Sequence, residues 1–453
     1  MVSNVNYFEL AKEDWLDVKL GDKRLNERAS IIGAEFLSNP FVSPPKMMKS
    51  FKAIKAFYRF MDSERVSHEK LISSHVEKTK EKLAGHKTVL AIQDSITISL
   101  NRNYEIEGTY PIGGNKISET KGLVIPNTIS VIPEEEYGFI EGLIHQKVFQ
   151  RKTKEERNKD NKDSILWIDG IESVGIPPAN TSIIDVMDRG ADIIAVMNAS
   201  LKYNHEFIIR ANHDRLLNEK QGIYLFDFAK KLPIIGHTLL EVQGNNGRKK
   251  RTAKLNISFS KITLPQTENK RKNPSIDCSI VHVFEDGCKD DKEPLEWFIL
   301  TSIDVRTLDD ALKIVKYYSF RWIIEEYHKC MKTGFRLEET QLKTLQRIEN
   351  LLGFIAVSSV KLLQLRDIVR NDPNADAKDY VEKEDVEIIR AYYKIENKEM
   401  TIDRFLRYIA QMGGFLNRKS DGNPGWQSIW EGWKFFLGIK KGVMLQREGL
   451  ICG

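Results

Sequence analysis

The chain has 453 residues and a net charge of +5, from 69 Lys+Arg and 64 Asp+Glu. This length predicts about two to four domains. So small a net charge does not by itself establish a nucleic-acid partner. Its four cysteines show no CxxC spacing, which argues against a zinc site or disulfide framework and for reduced thiols. The N-terminus lacks a signal-peptide pattern and no stretch reaches the apolar length of a membrane span, so we expect a soluble, cytoplasmic protein without a membrane partner.

Residues 1–85 have a helical pattern and are predicted to form an all-helical domain. One helix, at residues 49–60, carries four basic side chains within roughly 120° of arc, and these are Lys49, Lys52, Lys55 and Arg59. Three apolar side chains are expected on the opposite side, namely Phe51, Ile54 and Tyr58. No acidic residue occurs between positions 46 and 60, which favours a DNA-docking helix. A merely solvated basic face is the alternative.

A β-rich run begins near residue 87, and Asp94 stands at its middle. Aspartate is disfavoured at the centre of a strand, and burying its carboxylate costs several kcal/mol unless it is paired or binds a metal. Asp94 is therefore predicted to be a metal ligand, with a strand-end cap or a salt bridge as the alternative. Further β-branched runs within residues 122–144 predict a meander beside this strand.

Residues 182–193 are predicted to form a strand, a turn and the start of a helix. Asp188 falls at the C-terminal end of the strand, where α/β sheets place their chemistry. Asp185 is interpreted as an exposed edge residue, and Asp192 as part of the first turn of the next helix. The following strand ends at Arg210, which puts a basic group near the same edge as Asp188. No nucleophile elbow occurs, so a Ser-His-Asp or Cys-His site is not supported.

From about residue 216 to about residue 300 the chain is predicted to be a β insertion in an α/β domain. Two basic clusters lie at residues 248–254 and 270–272. They are interpreted either as loops that contact the phosphate backbone of a nucleic acid or as flexible cationic loops. The insertion ends in a strand that contains Trp297.

The stretch Tyr317–Gly334 is predicted to be one uninterrupted helix. At about 100° per residue, it places four side chains on one narrow face: Tyr318, Arg321, Glu325 and Lys332. That face is either a solvated stripe of charge pairs or a phosphate-binding ridge around a metal-binding glutamate. Asp94 and Asp188 supply the further carboxylates that the second interpretation requires. Carboxylates of this kind bind hard divalent ions, which promote displacement at phosphorus.

Helical patterns continue to the end of the chain, at residues 340–366, 376–393, 402–412 and 435–450. Trp426, Trp430 and Trp433 have helical spacing, and such an aromatic stripe more often lies in a core than in a ligand site. For the last segment the residues themselves support only a helix that is capable of contacting a partner.

Asp94, the turn at residues 188–192 and the Tyr-Arg-Glu-Lys row resemble the signature of the insertion-sequence-four family of DDE transposases. The row has two, three and six intervening residues, and this spacing carries the resemblance. The likeness covers nearly the whole chain. It includes Ala56-Phe57-Tyr58-Arg59-Phe60 near the start and Trp430-Glu431-Gly432-Trp433 near the end.

The resemblance implies a ribonuclease-H-like, retroviral-integrase-type α/β core at residues 86–370, with the β insertion inside it. This core would lie between a helical DNA-binding domain at residues 1–85 and a helical dimerisation domain at residues 371–453. The three carboxylates would bind two Mg²⁺ ions, for which Mn²⁺ can substitute. The implied partners are double-stranded transposon ends and target DNA, held by a homodimer in a synaptic complex at the bacterial nucleoid.

The implied reaction is cut-and-paste transposition, with end nicking, hairpin formation and opening, and strand transfer. Trp297 matches an aromatic that holds a flipped base, and Trp322 one that helps to expel it; packing in the core is the alternative for both. Contacts with DNA are implied for four further residues, Tyr318, Arg321, Lys332 and Arg210. The family's lysine next to the last of these is Asn212 here, which puts one backbone contact in doubt.

Two other functions stay open on the sequence. The first is a metal-dependent DNA nuclease of the same fold, which cuts DNA without joining it. The second is a non-catalytic DNA-binding inhibitor of transposition, which a lost carboxylate or a missing N-terminal domain would indicate. The sequence has neither feature, and the intact row together with Trp297 and Trp322 favours the transposase.

Overall fold

A computed structural model describes most of the chain, namely residues 7–48, 50–100, 106–112, 120–134, 137–149, 164–218, 222–242, 251–265, 275–285, 294–396 and 399–447. Its α-helices are α1 Tyr7–Trp15, α2 Lys23–Ser38, α3 Pro44–Met47, α4 Phe51–Met61, α5 His68–Leu83, α6 Ser164–Val174, α7 Ile194–Lys202, α8 Leu225–Lys230, α9 Leu308–Ser319, α10 Trp322–Lys329, α11 Leu345–Asn371, α12 Lys383–Tyr393, α13 Ile402–Met412 and α14 Trp426–Arg447. Its strands are β1 Thr88–Ser99, β2 Tyr110–Pro111, β3 Lys121–Pro133, β4 Gly138–Gln146, β5 Ser182–Met187, β6 Glu206–Arg210, β7 Leu216–Asn218, β8 Ile223–Tyr224, β9 Gly236–Val242, β10 Arg251–Leu264, β11 Ile276–Glu285 and β12 Glu296–Thr301.

The central sheet is mixed, with the strand order β2-β3-β1-β5-β6-β12-β11-β10-β9 and with β4 paired to β3. β1 is antiparallel to β3 and parallel to β5, and β5 is parallel to β6. From β6 the sheet continues through antiparallel strands to β9. The predicted meander beside β1 is confirmed by β3 and β4. In the β-rich stretch before residue 300, strands β9 to β12 extend this sheet, whereas β7 and β8 pair with each other in a separate two-stranded sheet.

One continuous hydrophobic core joins the N-terminal helices, one face of the sheet and the C-terminal helices. It contains Trp15 of α1, Ile92 of β1, Phe354 of α11 and Trp433 of α14, all of them buried. A second core lies on the other face of the sheet, under α6, α7 and α8, and includes Phe207. The tryptophan stripe of α14 therefore belongs to the core, because Trp430 and Trp433 are both buried.

Helix α11 is long and apolar enough to cross a membrane by length and composition, so the expectation that no stretch reaches this length is wrong. Within that apolar window 72% is buried inside the protein. The Phe354 ring of α11 packs against Trp15 at 5.5 Å and stacks on Phe36 at 5.6 Å between ring centres. A helix that is apolar on every side is typical of a helix surrounded by protein.

The stretch Tyr317–Gly334 is not the uninterrupted helix that its pattern predicts. A turn at Phe320-Arg321 separates α9 from α10, and a π-helical turn occupies Cys330–Gly334. Both residues of the first turn keep right-handed helical dihedral angles, so the spacing of side chains across it stays nearly helical. At this turn the Phe320 ring lies close to Gly138 of β4, where an added Cβ atom would approach it to 3.3 Å.

Candidate active site

Two adjacent parallel strands carry the two predicted aspartates. Asp94 lies near the middle of β1, and its Oδ1 accepts a hydrogen bond of 2.7 Å from the Ser95 N–H. Asp188 follows β5, and its Oδ1 accepts a hydrogen bond of 2.8 Å from the Gly190 N–H. This hydrogen bond caps the short helical turn that follows the strand. Glu325 lies in the first turn of α10, and this helix packs against β1.

Arg321 bridges two of the three carboxylates. Its Nη1 lies 3.5 Å from Asp94 Oδ2, and its Nη2 donates to Glu325 Oε1. Its guanidinium also lies 6.0 Å from the centre of the Tyr318 ring. Burial lowers the pKa of Arg321, whereas Tyr318 and the two carboxylates raise it. The second effect is the larger one, so the pKa of Arg321 lies above its usual value. Three of the four residues of the predicted face therefore meet at the Arg321 guanidinium.

Burial and the nearby Asp188 raise the pKa of Asp94 to about 7, and the Ser95 N–H and Arg321 offset only part of this rise. The carboxyl group therefore attracts a proton or a cation more strongly than an exposed aspartate does. In the described part of the chain, no three His, Cys, Asp or Glu side chains are placed closely enough to hold a metal ion as they stand. The donor chemistry nevertheless fits one, because carboxylate oxygens are the ligands that hard divalent cations prefer.

Trp297 and Arg210 extend the site around Tyr318. The Trp297 ring meets the Tyr318 ring edge-on, with 5.2 Å between centres. Arg210 interacts electrostatically with Tyr318, and its Nη2 donates to the Glu296 carbonyl at 2.8 Å. Burial raises the pKa of Tyr318 and lowers that of Arg210. Trp297 is half-buried. Trp322 on α10 is 43% exposed, so its side chain does not pack entirely in the core.

Lys332 stands apart from the other three residues of the predicted face. Its Nζ lies 3.0 Å from Glu338 Oε1 and 3.3 Å from the Thr97 carbonyl near the end of β1. Lys332 lies in the π-helical turn Cys330–Gly334, where the chain rotates by less per residue than in an α-helix.

Asp185 and Asp192 are buried, and both predictions for them are wrong. Asp185 is 0% exposed, because β5 lies between β1 and β6 and has no free edge. Its Oδ2 lies 3.0 Å from Nδ1 of His205. Asp192 precedes α7, and its Oδ2 accepts hydrogen bonds from the backbone N–H groups of Asn212 and His213. Asp192 thus holds the loop after β6 in place. No local sequence pattern indicates this role of Asp192.

His205 is a buried cation that links three elements. Its Nδ1 donates to Asp185, and its Nε2 donates to the Gly175 carbonyl at 2.7 Å, just past α6. Both partners only accept hydrogen bonds, so both ring nitrogens carry a proton. Burial lowers the pKa of His205, but the bonds to Asp185 and Gly175 raise it more, and the net change is upward.

We expect the stabilisation from His205 to be largest at low pH. A folded-state pKa above the unfolded value gives stabilisation that is complete below about pH 6.5 and is lost as the pH rises through the folded-state pKa. Urea unfolding of the wild type and His205→Gln between about pH 6 and about pH 9 measures this. The difference in unfolding free energy should shrink as the pH rises, and a difference that is constant with pH would contradict an imidazolium.

Helix α4 presents a basic face to solvent. Lys52, Lys55 and Arg59 are exposed, while Phe57 and Phe60 are buried in the core. Of the remaining basic positions predicted to contact DNA, Lys49 lies outside the described residues, as do residues 248–250 and 270–272 of the insertion.

Phe51, expected on the side of α4 opposite the lysines, is instead 71% exposed. It is the first residue of the helix, and the buried stripe begins only with later residues. Lys55 Nζ lies 4.6 Å from the centre of its ring, so an aromatic side chain belongs to the basic face.

A mixed sheet with carboxylates at neighbouring strands, beside a helical layer with a basic face, is compatible with an enzyme that processes DNA. Two family models match the chain, Transposase DNA-binding over residues 9–66 and Transposase DDE domain over residues 153–360. The chain therefore carries a transposase DNA-binding domain and a DDE domain, and these support a DNA transposase. DNA is its partner, and the DDE domain supports an enzyme that cleaves and transfers DNA.

The two matches agree with the architecture. The DDE domain implies a ribonuclease-H-like α/β core, and the structure has a large mixed sheet with helices on both faces. The first match contains α4, and the second contains Asp188 and Glu325, while Asp94 precedes the second. DDE domains generally use divalent metals, which agrees with the carboxylates found here.

Proposed function

We propose that this chain is a cut-and-paste transposase of the insertion-sequence-four family, whose signature resembles that of the transposase of transposon five. The observation that carries the proposal is the meeting of Asp94, Glu325 and Tyr318 at the Arg321 guanidinium, with Asp188 directly after the neighbouring strand β5. Three carboxylates beside two phosphate-binding side chains suit repeated displacement at phosphorus.

Each step of the proposed reaction exchanges one P–O bond for another. In nicking, a water oxygen attacks the scissile phosphorus, the P–O3′ bond breaks, and the leaving 3′-oxygen takes a proton. The freed 3′-hydroxyl then attacks a phosphorus of the opposite strand and gives up its proton, the P–O3′ bond to the flanking DNA breaks, and the leaving 3′-oxygen takes a proton, which closes a hairpin on the transposon end. A water oxygen then attacks the hairpin phosphorus, and the P–O3′ bond breaks to give back the 3′-hydroxyl. In strand transfer this 3′-hydroxyl attacks a phosphorus of the target DNA, and the P–O3′ bond of the target strand breaks to leave a target 3′-hydroxyl.

Asp94, Asp188 and Glu325 are the residues that would hold two Mg²⁺ ions, with Mn²⁺ as a substitute. When bound, such ions activate the attacking oxygen and stabilise the leaving one. The raised pKa of Asp94 supports this assignment, because a cation relieves the repulsion that burial and Asp188 impose on its carboxylate.

The other residues of the site bind and orient DNA in this proposal. Arg321 offers a planar fork of donors to phosphate oxygens, and Tyr318 and Arg210 add donors beside it. Lys332 would contact a phosphate further along the strand. The half-buried Trp297 and the exposed Trp322 offer stacking surfaces for a base that leaves the duplex during hairpin formation.

We assign end binding to residues 1–85, catalysis to residues 86–370 and dimerisation to residues 371–453. Support for a homodimer that pairs two transposon ends comes from exposed apolar side chains near the C-terminus, which are Tyr392, Leu416, Phe435, Met444 and Leu445. The proposed place of action is the bacterial nucleoid in the cytoplasm.

The requirement for paired ends tests this function against a nuclease. Purified protein with Mg²⁺ is incubated with DNA that carries either one or two copies of the element's end. A transposase should give hairpin and joined products that depend on two ends in one complex. Equal cleavage of single ends without joining would support the nuclease, and binding without cleavage would support the inhibitor.

The exposed lysines of α4 should set the salt dependence of end binding. Removing Lys52 and Lys55 deletes two exposed charges, so Lys52→Ala/Lys55→Ala should weaken binding and reduce the slope of log K against log salt by about 1 for each DNA phosphate that the variant no longer neutralises. Binding is measured by fluorescence anisotropy at several salt concentrations. Lys70→Ala on α5 is the matched control, and an equal change in slope there would contradict a role specific to α4.

A further inference from the structure

A line of buried polar side chains runs from the N-terminal helices to the helix that carries Glu325. It begins at His68 of α5, passes through Gln146 of β4 and Asn127 of β3, and ends at His328 of α10. The three joining distances are 2.8 Å, 2.6 Å and 3.0 Å in that order. All four side chains are buried.

The hydrogen bonds in this line all point the same way. Gln146 donates its amide nitrogen to Asn127 Oδ1, so its own oxygen accepts from His68 Nε2. The Asn127 amide nitrogen then donates to His328 Nε2 and also to the Ile125 carbonyl at 2.8 Å. Turning either amide over would break bonds on both sides, so each member fixes the orientation of the next.

His328 can serve only as the acceptor at the end of this line. Burial lowers the pKa of its ring to about 3, so the ring is neutral across the pH range of ordinary assays. A neutral ring whose Nε2 accepts from Asn127 carries its proton on Nδ1.

The line ends on the same face as the carboxylates. Asn127 stands directly opposite Asp94 in the register of β1 and β3, so their side chains share a face of the sheet. Arg321, Glu325 and His328 are spaced four and three residues apart, which places them within about 60° of arc. Arg321 contacts Asp94 and His328 contacts Asn127, so the helix is attached to the two strands on either side of Glu325.

We propose that Asn127 and His328 are positioning residues that set the rotation of α10 so that Glu325 faces Asp94. In this arrangement Gln146 and His68 hold the Asn127 amide in the orientation that donates to His328. This inference rests on the proposed function, because it takes Asp94 and Glu325 as the carboxylates that act together. An apolar contact in place of the hydrogen bond would fill the space but would not fix the rotation of the helix.

His75 provides a matched control for a purely structural role. It is also a buried histidine of α5 that faces β4. Its Nδ1 lies 2.9 Å from Asp14 Oδ1, and its Nε2 accepts from the Leu143 N–H at 3.1 Å. These ring bonds join α5 to α1 and β4, rather than to α10.

The test compares His328→Leu, His328→Gln and His75→Gln with the wild type, each as the full chain on DNA carrying the element's end. Gln is the conservative variant at position 328, because it keeps an acceptor near the place of Nε2. Three quantities are measured: the Mg²⁺ concentration for half-maximal cleavage, Mn²⁺ binding to the DNA complex by electron paramagnetic resonance, and the urea midpoint of unfolding.

We expect His328→Leu to weaken both metal readouts by about 10- to 100-fold, with the dissociation constant for end DNA unchanged. His328→Gln should recover most of this loss. His75→Gln should lower the urea midpoint without moving either metal readout. Equal effects of His328→Leu and His75→Gln, or a wild-type metal response in His328→Leu, would overturn the positioning role alone. A wild type that does not cleave would overturn the proposed function and the positioning role with it.

Discussion

Replacing Asp94 with asparagine is expected to abolish DNA cleavage and joining, by at least about 10³-fold, while binding of the transposon end is kept. Asparagine has the size of aspartate and retains an oxygen for the Ser95 N–H, so the strand should fold as before. What it removes is the negative charge that sits beside Asp188 and Arg321. The loss should therefore fall on chemistry rather than on folding or on end binding.

Proton release on binding of Mg²⁺ is a second and independent test of the role of Asp94. Because the pKa of Asp94 is raised to about 7, a proton competes with a cation for this carboxylate near neutral pH. Calorimetric titration with Mg²⁺ in two buffers of different ionisation enthalpy should show proton release from the wild type and less release from Asp94→Asn. Asp309→Asn, on the exposed first turn of α9, is the control and should behave as the wild type. Cleavage that survives in Asp94→Asn would contradict its role.

Replacing Asp185 with alanine is expected to lower the free energy of unfolding by about 3–5 kcal/mol. The change leaves the His205 imidazolium buried without its counterion, and it removes the acceptor that lies 3.4 Å from Gln93 Nε2. Because Gln93 precedes Asp94 and Asp185 lies three residues before Asp188, the same change should loosen both strands at the site.

Urea unfolding at pH 7 measures this loss. A suitable comparison is Lys434→Ala, which removes an ion pair of 2.7 Å with Glu431 on the exposed side of α14. Exposed pairs of this kind contribute about 0–1 kcal/mol, so that variant should stay close to the wild type. A loss below about 1 kcal/mol for Asp185→Ala would show that His205 is neutral or that water replaces the missing carboxylate.

Local pattern was enough to predict several residues of the site. Tyr318, Arg321 and Glu325 meet because helical rotation survives the short turn between α9 and α10. Asp94 attracts notice in the sequence because a carboxylate in the middle of an apolar strand needs a partner, and the structure supplies Arg321. The position of Asp188 at the end of β5 follows from the alternation of strand and turn.

Other features depend on pairings that a single sequence does not reveal. Asp185 is buried because β1 and β6 cover both edges of β5, which is a matter of sheet order rather than of local pattern. The ion pair of Lys332 with Glu338 depends on a π-helical turn that the local pattern does not indicate. The hydrogen bond between Asn127 and His328 joins residues 201 positions apart, and neither residue stands out in its own segment.

The measurement that tests the central claim most directly compares the wild type with Glu325→Gln on DNA carrying two of the element's ends, with Mg²⁺. Glutamine keeps the length of the side chain and a hydrogen-bonding partner for Arg321 but removes the third carboxylate. The wild type should give nicked, hairpin and joined products, and the variant should bind the ends and give none of them. Products that form equally well with Glu325→Gln would contradict a site built from Asp94, Asp188 and Glu325.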